Sequence, residues 1–256
     1  MTVQKGVQLA VIAGMLLILT GCATGRPQTM SSAAARSAGI ETGFINKTLM
    51  HGDEEIPYVV YVPRDYDPGQ SWPVILFLHG AGERGVDGLV QTEVGIGRAI
   101  RRYPDRFPCL VVMPQCPPDV WWDRAIDRAE MSLAQTLAEY STDPDRIYLT
   151  GLSMGGFGTW LLGAAQADRF AALMPICGGG QVEDAAALAR LPIWAFHGDA
   201  DSVVPPEQSR VMVKAVQAAG GAITYTEYEG VDHNSWDPAY SDEAAIAWLL
   251  QQRRTP

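Results

Sequence analysis

Pro73-Val-Ile-Leu-Phe-Leu78 is a continuous apolar run that halts at His79-Gly80, and Cys109-Leu-Val-Val-Met113 is a second that halts at Pro114. A strand reads this way when both of its faces are covered, as in a parallel sheet clothed by helices. The intervening segments have the helical period. Thr92 to Arg102 is expected to be a helix, and Arg124 to Tyr140 carries apolar residues at 126, 129, 133, 137 and 140. The alternation then continues through strands at Arg146–Thr150, Phe170–Ile176, Pro192–His197 and Ile223–Tyr228. Helices are expected at Met154–Ala165, Pro206–Ala219 and Asp242–Gln252. With Ile56–Val62 as an earlier strand, ended by Pro63, the pattern predicts an α/β fold. Its central sheet is mostly parallel, with helices on both faces, no internal repeat and no second domain.

The chain ahead of this pattern is of another kind. Lys5 precedes an apolar stretch of thirteen residues, Val7 to Leu19, interrupted only by Gln8. That is shorter than the roughly 20 residues needed to span a bilayer and suits a secretory signal. It ends in Leu19-Thr20-Gly21-Cys22, which resembles the lipobox of bacterial lipoproteins. The resemblance implies a signal over residues 1–21 and lipidation of Cys22. It implies export to the cell envelope, with Ala23 giving no inner-membrane retention aspartate. Residues 22–41 are Ala-, Ser-, Thr- and Gly-rich, with Arg26 and Arg36 and a single acidic residue, Glu41, at the end. They read as a lipidated flexible tether, which leaves residues 42–256 for the folded domain.

Without Lys5, 18 Lys and Arg face 29 Asp and Glu, a net charge of −11. Such a surface repels nucleic acid and anionic lipid, so the only expected membrane contact is the lipid anchor. Cys109, Cys116 and Cys177 are an odd number after Cys22 and lack the Cys-x-x-Cys spacing of a zinc site. Which of them pair, if any, is open.

Gly151-Leu-Ser153-Met-Gly155 lies between an expected buried strand and an expected helix. That placement turns a common pentapeptide into a candidate nucleophile elbow, a strained turn that lifts a serine above the sheet. The amide of Met154 then points at an anion near Oγ, helped by the helix N-terminus. Serine needs a base, and the base needs an orienting carboxylate, both later in the chain. Of four histidines only His197 and His233 follow Ser153. His197-Gly198 ends a buried strand with no later carboxylate and histidine in order, which leaves His233. For the carboxylate, Asp199 and Asp201 both follow that strand. His79-Gly-Ala-Gly82 ends another strand, with Ala81 or Gly82 as the second oxyanion amide.

Leu78-His-Gly-Ala-Gly-Glu-Arg-Gly85, Met113-Pro-Gln-Cys-Pro117, Gly151-Leu-Ser-Met-Gly-Gly156, His197–Pro205 and Asp232-His233 together resemble an α/β-hydrolase. The group is that of dienelactone hydrolase, polyhydroxybutyrate depolymerase and the secreted feruloyl-esterase-like "predicted peptidases". The resemblance covers about residues 44–252 and implies that Asp201 is the catalytic aspartate, leaving Asp199 to support its loop. It implies a serine carboxylic-ester hydrolase, with Ala81 and Met154 forming the oxyanion hole and no metal or organic cofactor.

Only residues 177–191 are available for a lid, so no cap domain fits and an open site for soluble esters or a polymer end is expected. Gly82, Trp121, Trp122 and Trp236 are the expected pocket residues, with one of the paired tryptophans in the core. A serine peptidase of the same fold and a non-catalytic, ligand-binding envelope lipoprotein are the alternatives. The oligomeric state is not legible.

Overall fold

The two continuous apolar runs lie side by side in the middle of an eight-stranded sheet. They are β3 (Trp72–Leu78) and β4 (Leu110–Pro114), paired in parallel with Val74 opposite Leu110. On the far side of β3 runs β5 (Thr142–Leu152), also parallel, followed by β6 (Ala172–Ile176), β7 (Ile193–Gly198) and β8 (Ile223–Tyr228). Two antiparallel strands, β1 (Gly43–His51) and β2 (Glu54–Val62), complete the order β1-β2-β4-β3-β5-β6-β7-β8. The computed structural model describes residues 39–254. Cys22 and most of the tether lie outside the described residues.

Strand periodicity divides the core. Val74, Leu76 and Leu78 face one way, into the layer of α2 (Trp122–Glu139), α3 (Met154–Ala165) and α5 (Glu207–Ala218). Ile75 and Phe77 face the other way, toward α1 (Ile96–Arg102), α6 (Trp236–Ser241) and α7 (Glu243–Gln251). Between β6 and β7 there is only a single-turn 3-10 segment and the four-residue α4 (Ala185–Leu188), so among the described residues no large cap covers the sheet's carboxyl edge.

Three elements differ from expectation. The helix over Thr92–Arg102 is broken: a 3-10 turn spans Val90–Thr92 and α1 starts at Ile96, because Gly95 adopts φ 55° and ψ −126° to pass close to Leu152. The last helix is preceded by α6, a separate short helix that ends at Ser241, and the side chain of Asp242 caps α7. Strand β1 gave no sequence signal, since Ile45 and Leu49 are its only buried residues.

Candidate active site

The turn between β5 and α3 leaves no room for side chains. A Cβ on Gly155 would sit 1.9 Å from the carbonyl oxygen of Leu78, so glycine is required for α3 to approach β3. Between them Ser153 takes φ 52° and ψ −117°, a strained conformation for a non-glycine residue. Its amide is tied to the Ile176 carbonyl at 3.0 Å. Met154, the first residue of α3, has no intrahelical acceptor for its N–H, and no side chain caps the helix.

His233 is carried by the loop between β8 and α6. That loop meets the one after β7 because Gly198 permits it: a Cβ there would lie 2.1 Å from the Val231 carbonyl. Asp232 joins the two loops, its Oδ1 accepting the amides of Ser202 and His233, each at 2.7 Å. Nδ1 of His233 donates to Oδ2 of Asp201 at 2.8 Å, which leaves Nε2 as acceptor 3.0 Å from Oγ of Ser153. Trp236 sets its ring edge-on to the imidazole, with centroids 5.2 Å apart.

Asp201 is buried. Burial works to raise its carboxyl, but the bonds from His233 and from the Val204 and Val203 amides outweigh it and hold the group below the usual carboxylate range. Asp199 is turned elsewhere, accepting the Gly230 amide at 2.7 Å. The structure therefore brings Ser153, His233 and Asp201 into one line and leaves Asp199 bracing a turn.

His79 organises the loop facing the elbow. Its Nε2 accepts the amide of Cys116 at 2.8 Å, so the proton resides on Nδ1, which donates to the Gly80 carbonyl at 2.6 Å. Burial lowers the pKa of this ring to about 4 against the opposing pull of that carbonyl, so it is neutral. The Gly80–Ala81 peptide is trans, so the Ala81 N–H points the opposite way, away from the buried ring. Gly82 is exposed beside it. The indole N–H of Trp122 donates to the His79 carbonyl at 2.9 Å.

The adjacent tryptophans part company at the start of α2. Trp122 is buried at 1 % exposure while Trp121 is half exposed at 50 %, its ring edge-on to Phe157. Together they border a cavity of about 280 Å³ whose wall also includes Met154, Phe157, Leu161, Asp123 and Asp184. No Lys or Arg is among the lining residues. Gly82 and Trp236 are outside this cavity, the first on the loop after β3 and the second against His233. Phe157, Leu161 and Asp184 were not expected here. Met154, Phe157 and Leu161 recur at helical spacing, which suits a buried face equally well, and nothing local distinguishes a cavity wall from a core.

Cys109, Cys116 and Cys177 are separate, buried, free thiols. Cys177, Asp201 and His233 place ligand-type atoms within 4.8 Å of one another. Burial pushes the Cys177 thiol up to about 12, so it is no thiolate at neutral pH, and the other two groups already share a proton.

Comparison with known proteins bears on the family and the fold. The Dienelactone hydrolase family matches residues 112–251. A poly(3-hydroxyoctanoate) depolymerase of Pseudomonas fluorescens is 25 % identical, over 80 % of this chain and 82 % of its own length. Among solved structures, a thermostable esterase shares 40 % identity with a TM-score of 0.76 over 82 % of this chain. This chain spans 63 % of that esterase's length. A feruloyl esterase module from Clostridium thermocellum, 17 % identical, superposes with a TM-score of 0.64 over 82 % of this chain and 88 % of its own, a likeness of fold. With its mixed sheet, its elbow and this match over more than half its length, the chain is an α/β-hydrolase and belongs to the dienelactone hydrolase family.

Proposed function

We propose that the protein is a serine carboxylic-ester hydrolase acting through an acyl-enzyme intermediate. The observation that carries this is the run of hydrogen bonds from Ser153 Oγ to His233 Nε2, 3.0 Å, and from His233 Nδ1 to Asp201 Oδ2, 2.8 Å. Oγ attacks the ester carbonyl as its proton passes to Nε2, and Asp201 stabilises the imidazolium that results. The amides of Ala81 and Met154 hold the oxyanion, an effect worth about 10²–10³ in rate per donor. His233 returns the proton to the departing alcohol. Water then takes the alcohol's place, gives its proton to His233 and releases the acid, restoring Ser153.

The cavity beside Met154 receives part of the ester. At about 280 Å³, with Trp121, Phe157 and Leu161 on its wall, it suits a short acyl chain or one aromatic ring. The depolymerase and feruloyl esterase relatives suggest two such substrates, the end of an aliphatic polyester and an ester of an aryl acid. Incubation with a fluorophosphonate, followed by peptide mass spectrometry, tests the reading. One adduct on Ser153 is expected; a protein that only binds ligands in a retained fold stays unlabelled.

Lipidation of Cys22 would place the enzyme at the cell envelope. Incorporation of labelled palmitate, lost in Cys22→Ala, is the expected outcome.

A further inference from the structure

Asp201 has two histidine neighbours. Its Oδ2 lies 2.8 Å from Nδ1 of His233 and 3.2 Å from Nε2 of His197. His197 is fully buried at the end of β7, four residues before the aspartate. Its Nε2 faces acceptors alone, the carboxylate and the Val204 carbonyl at 2.9 Å, so that nitrogen carries the ring's proton. On the other side Nδ1 is 2.7 Å from the hydroxyl of Ser209, on α5, which also lies 3.0 Å from the Gly178 carbonyl. Burial holds this ring below the ordinary imidazole range, although the Val204 carbonyl and Asp201 pull the other way, so it acts as a neutral donor.

Oδ1 of Asp201 takes the amides of Val203 and Val204, at 2.9 and 2.8 Å, and Oδ2 takes the His233 N–H at 2.8 Å, with Nε2 of His197 3.2 Å away. A carboxylate held by amides on one oxygen alone can still swing the other. The second imidazole, 3.2 Å away, limits that freedom, and it is itself fixed by α5 and by the Val204 carbonyl.

We propose that His197 is a positioning residue for the base: its Nε2–H, bonded to the Val204 carbonyl, also lies 3.2 Å from the carboxylate oxygen that His233 uses. This fixes the line on which His233 meets Ser153 and limits how strongly the shared oxygen can draw a proton onto the base. The inference rests on the Ser153–His233–Asp201 reading above. Other ionisable groups near the pair are Cys177, which is a neutral thiol, Asp232 beside the His233 amide, and Glu227. Glu227 is opposite His197 on β8 and is paired with Arg210. All remain in place when His197 is replaced, so they form a constant background.

The test is the pH dependence of kcat/KM for p-nitrophenyl butyrate with residues 23–256, as wild type, His197→Phe and His197→Gln. Phe keeps a ring without a donor, while Gln retains an N–H near the position of Nε2. For His197→Phe the acid limb is expected to move to higher pH by about half a unit or more, and the plateau to fall about tenfold. For His197→Gln most of both is regained. A histidine that merely supports the fold lowers activity equally at every pH, so an unmoved limb in His197→Phe, or Gln behaving like Phe, overturns the proposal. A long-range proton–nitrogen NMR correlation on the wild type adds a check: the proposal requires protonation of His197 at Nε2, and protonation at Nδ1 overturns it. A wild type inert toward esters instead defeats the proposed function itself and takes this inference with it.

Discussion

Nε2 of His79 accepts the amide proton of Cys116 across 2.8 Å, linking the loop after β3 to the loop after β4. The same ring grips the Gly80 carbonyl from its other nitrogen, so one neutral imidazole sets the plane of the peptide that offers the Ala81 amide. His79→Gln keeps polarity but shifts both bonds. Its kcat is expected to fall about 10- to 100-fold with KM changed far less, because the oxyanion donor acts mainly in the transition state. Steady-state kinetics at pH 8 read this directly, and an unchanged kcat would separate His79 from the oxyanion loop.

His79 also gives the fold an acid-sensitive point. Its folded pKa, about 4, lies below the ordinary value of 6.5. Between those values the unfolded chain takes up a proton that the folded protein refuses. Stability is therefore fully present above pH 6.5 and declines as pH falls toward 4, by about 3 kcal/mol from this group. His197, lowered by burial, contributes in the same direction. Urea unfolding at pH 7.5 and pH 4.5 measures the difference, and His79→Gln should flatten it.

The cavity wall discriminates by charge. Asp123 and Asp184 border it, no Lys or Arg lines it, and the two carboxylates have no ion-pair partner among the described residues. An acyl group ending in a carboxylate is repelled there. The kcat/KM for p-nitrophenyl hydrogen succinate is expected to lie well below that for p-nitrophenyl butyrate. Asp123→Asn with Asp184→Asn should narrow the gap about five- to tenfold at low salt and less at 0.5 M salt, as exposed charges at this range are screened to within about one Debye length.

The three thiols of the folded part are sealed. Burial raises Cys116 to about 11 and Cys177 to about 12, and raises Cys109 as well. A thiol reagent should leave residues 23–256 unmodified under native conditions and titrate three groups in guanidinium. Fewer than three after unfolding would mean that a bridge forms.

Sequence reached far into this molecule because a sheet buried on both faces writes itself as unbroken apolar runs. Met154–Ala165 and Ile223–Tyr228 lie where their patterns put them. Ser153 and His233 were legible from a constrained turn and from the scarcity of histidine. The choice of Asp201 over Asp199 needed family resemblance, since both follow the same strand and differ only in how the loop bends after Gly198. Trp121 and Trp122 differ by one residue at a helix start, where one side chain turns in and the next turns out. The approach of His197 to Asp201 was illegible for a like reason. It depends on the loop folding back over its own strand, which no periodicity records.

The central claim is that Ser153 is the nucleophile of an esterase. Hydrolysis of p-nitrophenyl acetate, butyrate and octanoate by residues 23–256, beside Ser153→Ala, tests it most directly. The account predicts ready turnover by the wild type, falling off toward octanoate, and a loss of about a thousandfold or more in the variant. Equal, weak activity in both proteins would contradict it.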